Sequence, residues 1–248
     1  MRDMADIRIG LEPIATHGTR EPFAWRAAIL SRPQAFHTAD AILLAPDRLA
    51  LEALRLDRAL EAAAAADLAD SGCLLVVPVN ARAGAPDRLL CLLFRAALRH
   101  GYPFEQLVIE VHADEDADHA AATALIRACA DRGLMVALAG FAAGPLGLRL
   151  LAHCSPRLIR LDPGFARRLD AAPARARMVE GVLRIARGMG VAVVAPAPTL
   201  DTERDAALAS GLRHFHGRGE PAPRRTRPVA RPVWNAAVAN HRATRLSA

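Results

Sequence analysis

Aromatic side chains make up only 4% of this 248-residue chain, so Leu, Ala and Val must fill its core. Lysine is absent: all 32 basic residues are Arg, which we attribute to base composition rather than to function. No apolar run reaches the length of a membrane span. The opening MRDMADIRIG lacks the apolar stretch of a signal peptide, so a cytoplasmic protein is expected. Only four cysteines occur, Cys73, Cys91, Cys129 and Cys154. They are widely spaced in apolar segments and read as buried free thiols, not as a metal knuckle or a disulfide set.

What is present is a soluble globular composition, 52% hydrophobic and 23% charged, with length for one sizeable core. The formal charge of +6 is unevenly placed. Seven Arg (218, 224, 225, 227, 231, 242 and 245) face one acid, Glu220, from Gly217 onward, so the remainder of the chain is neutral. The Pro- and Arg-rich stretch has no periodicity. Residues 223–248 are expected to form a basic, flexible tail, docked at most through Trp234. Its few aromatics and lack of amphipathic pattern disfavour nucleic acid and favour a solvated segment.

Apolar strand patterns fall at 5–14, 23–30, 73–80, 106–112, 134–140, 157–162, 191–197 and 212–216. Helical patterns fall at 46–69, 86–99, 118–132, 145–152, 173–188 and 202–210. Continuous apolar strands alternating with amphipathic helices imply a parallel sheet covered on both sides. Eight such units closing on themselves make an α/β fold, a (β/α)8 TIM-type barrel, in one domain spanning 1–222. Active sites on that fold lie at the C-terminal strand ends, which here carry Arg26, Asn80, Glu110, Ala139 with Gly140, Arg160 with Asp162, and Pro196. A hydrolase holding a hard cation needs acidic oxygens. In LMVALAGFAAG, Ala139 and Gly140 offer a methyl group and a hydrogen instead.

The ordered fragments LEPI (11–14), VPVNAR (77–82), LVIEVH (107–112), VALAGFAAG (136–144), LIRLD (158–162) and VVAPAPT (193–199) resemble the EAL domain family. LDRALEAA (56–63) and GRGEPAP (217–223) add to the likeness. That family comprises cyclic-di-GMP phosphodiesterases and their inactive relatives. The resemblance implies that the name-giving Glu is replaced by Arg26, and the phosphate-binding Arg by Leu30. Likewise it implies that the Asp pair is replaced by Ala139 and Gly140, the catalytic Lys by Arg160, and a late Glu by Pro196. Asn80, Glu110 and Asp162 are retained, Asp162 as a group behind the ligands. Family members use Mg or Mn. With one carboxylate, one amide and a fixed cation at Arg26, no metal, no cofactor and no catalytic residue are expected here.

Two arrangements of the site remain open on the residues alone. Arg26 pairs with Glu110 near Asn80, or Arg26 reaches solvent and backbone or water satisfies Glu110. His214 and His216 share one strand face but lack a third ligand, and His112 follows Glu110 by two. The acidic run Asp114, Glu115, Asp116 and Asp118 reads as a helix N-terminal cluster, not a calcium loop.

Three functions compete. The first is an inactive EAL-like module of cyclic-di-GMP-related signalling that binds a protein of unknown identity. The second is a cyclic-di-GMP receptor without turnover, using Arg26, Asn80, Glu110 and Arg160. The third, and weakest, is a residual phosphodiesterase. Homodimerisation occurs in the family and is left open.

Overall fold

The computed structural model describes residues 7–19, 21–30, 48–113, 118–152 and 154–217. The expected tail, Trp234 and the acids Asp114, Glu115 and Asp116 lie outside the described residues.

Eight strands close into a barrel in chain order: β1 (Ile9–Thr16), β2 (Pro22–Ile29), β3 (Leu74–Pro78), β4 (Leu107–His112), β5 (Met135–Phe141), β6 (Leu158–Leu161), β7 (Ala192–Pro196) and β8 (His214–His216). The strands from β2 to β8 are parallel, as their continuous apolar sequences require. The first strand corrects the all-parallel expectation. β1 runs antiparallel to both β2 and β8, because a short turn rather than a helix joins β1 to β2. In that hairpin Glu12 stands directly opposite Arg26.

Helices cover the outside: α1 (Arg48–Ala65), α2 (Leu68–Ser71), α3 (Pro86–Arg99), α4 (His119–Asp131), α5 (Leu146–Leu151), α6 (Pro163–Ala166), α7 (Pro173–Gly188) and α8 (Asp201–Ala209). The single helix expected over 46–69 is broken. Asp67 takes φ +55°, a left-handed value that a helix interior does not accommodate, and separates α1 from α2. In α3, Pro86 opens the helix and Leu89, Leu90, Leu93, Ala96 and Ala97 form its buried stripe. Burying each Leu of that stripe is worth about 1.5–3 kcal/mol.

Alternation along the strands separates two cores. Outward residues such as Leu75, Val77, Ile109 and Leu138 pack under the helices. Inward residues Ile14, Ala24, Val76, Val108, Ala137, Leu158 and Val194 fill the barrel. Small Ala at positions 24 and 137 beside larger neighbours lets a narrow barrel fill without aromatics. The thiols are all free, but only Cys73 and Cys129 are buried; Cys91 is exposed on α3 and Cys154 is half-buried, correcting the expectation of four buried thiols. No helix among the described residues is long and apolar enough to cross a membrane.

Candidate functional site

The period-2 alternation that fills the barrel also builds its mouth. Two residues along each strand from the apolar layer stand Glu12, Arg26, Pro78, Glu110, Ala139, Arg160 and Pro196, and His216 pairs with Pro196 in register. The mouth is therefore one ring of side chains, one from each strand. Four are acidic or basic residues, Glu12, Arg26, Glu110 and Arg160, and they touch.

Glu110 is the hub, with no exposed surface. Arg26 donates from Nε to both its oxygens, at 3.0 and 3.1 Å, and from Nη2 to Oε1 at 2.8 Å. Arg160 donates from Nε to Oε2 at 3.0 Å and from Nη2 to Oε1 at 3.3 Å. The outer nitrogen of Arg26, Nη1, reaches Oε2 of Glu12 at 3.4 Å. Two guanidiniums and two carboxylates thus balance to zero. Burial by itself would raise the pKa of Glu110, but the charges of Arg160 and Arg26 and their hydrogen bonds overcome it and hold the carboxyl well below its ordinary range.

Of the two open arrangements, the geometry is the paired one, and it adds Arg160 as a second partner. Asn80 is not a member. Its Oδ1 accepts from the Arg82 N–H at 3.0 Å, capping a short 3-10 turn, and its buried Nδ2 has no hydrogen-bond partner. Its backbone N–H donates at 3.0 Å to Glu52, a fully buried carboxylate on α1. Glu52 also accepts from Arg55 at 3.1 Å, and Arg55 donates to the Pro78 carbonyl at 2.7 Å. This outer pair fixes the end of β3 against α1. Burial raises the Glu52 pKa against the opposing charge of Arg55 and the bond from Asn80.

Asp162 is engaged at a helix N-terminus. Its Oδ1 accepts from the N–H groups of Gly164 and Phe165, at 2.7 and 3.3 Å, and caps α6. Leu30 lies just beyond β2, 41% exposed, with its side chain over Gly10, where an added Cβ would sit 2.8 Å from it. Ala139 is fully buried and Gly140 takes φ +68° at an irregularity between β5 and β6. Pro196 is buried at the end of β7.

Glu12 and Pro78 are the ring members that sequence reasoning passed over, and His216 entered it only as half of a rejected metal pair. Glu12 belongs to LEPI, two residues before the inward Ile14, but its facing depends on the antiparallel register. Both ring nitrogens of His216 are buried without a partner. Burial, then the charges of Arg160 and Arg26, push its pKa down to about 3. His214, on the same face, meets Thr16 Oγ1 at 3.0 Å and stacks edge-on against Phe23. His112 is half-buried two positions beyond Glu110. No group of three His, Cys, Asp or Glu among the described residues is placed to hold a metal ion.

Residues 28–218 match the model of the EAL domain, more than three quarters of the chain. The chain belongs to the EAL domain family. Solved EAL structures have the same fold. A standalone EAL protein from Vibrio cholerae O395, in its c-di-GMP bound form, is 21% identical, with TM-score 0.72 over 92% of this chain and 97% of that one. BlrP1 from Klebsiella pneumoniae, in a manganese/cy-diGMP complex, is 22% identical with TM-score 0.73. That match covers 86% of this chain and 54% of that one. The PaMucR phosphodiesterase in its c-di-GMP complex is 18% identical with TM-score 0.73, over 90% of this chain and 94% of that one. No curated protein matches the chain.

Proposed function

We propose that this EAL domain does not hydrolyse cyclic di-GMP and acts in cyclic-di-GMP-related signalling by contacting another protein. One observation carries the absence of hydrolysis: Glu110, the strand-end carboxylate of the barrel mouth, has both oxygens committed to Arg26 and Arg160. A magnesium-type ion wants about six oxygens in a tight shell. Around Glu110 the ring presents Ala139, Pro78 and Pro196, whose side chains donate no electron pair. A dication would also have to displace two guanidiniums, each strongly repelling it: at 4 Å and an effective dielectric near 20, about 4 kcal/mol per unit charge. The residues present therefore do not fit a metal pair, and water activation by metal has no seat here. Arg160 adds a second obstacle, because a guanidinium keeps its proton.

A second reading, a receptor that binds cyclic di-GMP without turnover, draws support from the dinucleotide complexes of similar folds. Against it stands the commitment of the ring's arginines to carboxylates. The test is incubation of the full chain with cyclic di-GMP and Mg2+ or Mn2+, beside calorimetric titration with the same ligand. The proposal expects neither linear pGpG nor micromolar binding. Product would overturn it; binding without product would replace it with the receptor reading.

A further inference from the structure

The apolar layer between the strands and the outer helices is in two pieces. Among the described residues, 31 buried side chains join β2–β5 to α1–α5. A separate 12 join β6, β7 and Phe141 at the end of β5 to α6–α8. At the seam the pairing of β5 with β6 loses register between Leu138 and Phe141, and half-buried Leu151 packs against both pieces. The second piece is thin. α7 buries two of its sixteen residues, Val179 and Ala186, whereas α3 buries five of fourteen. Stabilisation follows the apolar area removed from water, so α7 is held less firmly than α3. Gly181 in its interior lowers its own helix propensity as well.

Polar ties supplement the thin core, and one buried carboxylate on α8 makes most of them. Glu203 Oε1 accepts from the Arg168 N–H at 3.0 Å. Its Oε2 accepts from the Thr199 N–H at 2.9 Å and from the Thr199 hydroxyl at 3.2 Å. The neighbouring Thr202 donates to Asp170 at 3.3 Å. These bonds fasten α8 to the linker between α6 and α7 and to the loop after β7. Arg168 holds φ +52°, a left-handed value that a Cβ disfavours, so the linker leans on the bond from Glu203 to keep its shape. Core and ties are therefore shared among three helices, and losing either loosens all of them. We infer that α6, α7 and α8 open as one cooperative unit while the rest of the barrel stays folded, and that Glu203 is the latch that keeps the unit shut. Opening bares the outward side chains of Ile159, Leu161 and Val193, an apolar face that the closed protein hides.

This opening is independent of what the barrel mouth binds or hydrolyses. Hydrogen exchange of the full chain, read by mass spectrometry in urea below the unfolding transition, tests it. Peptides from α7 and α8 are expected to share one urea dependence, because one unit exposes one surface. Their protection factors are expected to lie at least about ten-fold below those of α3 and β4. Glu203→Gln leaves one acceptor oxygen where three donors converge. It is expected to lower protection in α7 and α8 by about a further ten-fold and to leave α3 unchanged. The parent protein alone tests the unit, so the proposal does not wait on the variant's folding. Equal protection across all the helices, or different urea dependences for α7 and α8, overturns it. Equal loss of protection in α3 and α8 on Glu203→Gln removes the latch. Protection of α7 that falls on dilution would assign its stability to association and overturn the proposal as well.

Discussion

Arg26 and Glu110 lie 84 residues apart in sequence and meet in the barrel mouth through three hydrogen bonds of 2.8 to 3.1 Å. The contact is built by two strands that never pair. Each residue sits two positions beyond an apolar inward neighbour, Ala24 and Val108, and period-2 alternation aims both at the same axis. Arg160 closes the clamp from β6.

Glu110→Gln is expected to destabilise the protein by about 3–5 kcal/mol, because it leaves two guanidiniums in the ring without their shared anion. Replacing all three residues, Arg26→Met with Glu110→Leu and Arg160→Met, is expected to cost far less or to stabilise, since no unpaired charge remains. Urea denaturation of both variants measures this. A triple variant as unstable as the single one would show that the cluster contributes more than charge compensation.

The same cluster sets an acid limit. The folded-state pKa of Glu110 lies well below its unfolded value of about 4.3. Its contribution is therefore complete above that unfolded value and is lost as pH falls through the folded one. His216 acts in a higher window. Its folded pKa of about 3 lies below the unfolded value of about 6.5, so acidification favours the unfolded chain, which takes up the proton first. Stability is expected to fall from about pH 6.5 downward by a few kcal/mol in total. His216→Leu is expected to flatten the curve between pH 4 and 6 while keeping the ring's buried apolar volume. Thermal melts across that range decide it; an unchanged slope would assign the acid sensitivity elsewhere.

The barrel and most of its helices were legible because apolar runs of strand length and amphipathic stretches of helix length do not overlap in this chain. The reversed β1 was not, since a strand's direction depends on its connection and the run IGLEPIAT reads the same either way. The pairing of Arg26 with Glu110 was one of two open arrangements, because an unpaired buried carboxylate demands a cation and Arg26 was the nearest candidate by strand position. The share taken by Arg160 was hidden by its reading as a substituted catalytic Lys. Glu12 was hidden because its partner is fixed by cross-strand register. Asp162, retained from the family pattern, serves a helix N-terminus in this chain, a role its position just before Pro163 was able to signal.

Ala142 holds φ +73° in the turn after β5, a left-handed conformation that a Cβ disfavours by about 1–2 kcal/mol. Ala142→Gly is expected to recover about 1 kcal/mol of that, offset in part by the unfolded-state entropy of glycine. A raised urea midpoint with an unchanged slope checks it. Close by, Gly147 on α5 gives room to the ring of Phe141, which would lie 2.7 Å from an added Cβ. Gly147→Ala is expected to destabilise by about 1–3 kcal/mol through that overlap, despite the better helix propensity of alanine.

Arg26→Glu tests the charge logic of the mouth directly. The substitution removes one guanidinium and sets a second carboxylate beside Glu110, with Glu12 already across the hairpin. Without metal, like charges in a buried ring raise each other's pKa and lower stability, so the variant is expected to melt below the parent at pH 7 and to gain on mild acidification. Three carboxylates now offer hard oxygen ligands, and Mn2+ is expected to recover part of the loss, by about 2.7 kcal/mol at a hundred times its dissociation constant. The parent protein is expected to show no such shift, because Glu110 there already has its cations. Melting curves of both proteins with Mn2+ and with a chelator separate the outcomes: stabilisation of the parent by Mn2+ would mean that the guanidinium clamp yields to metal and that the electrostatic reading of the mouth is wrong.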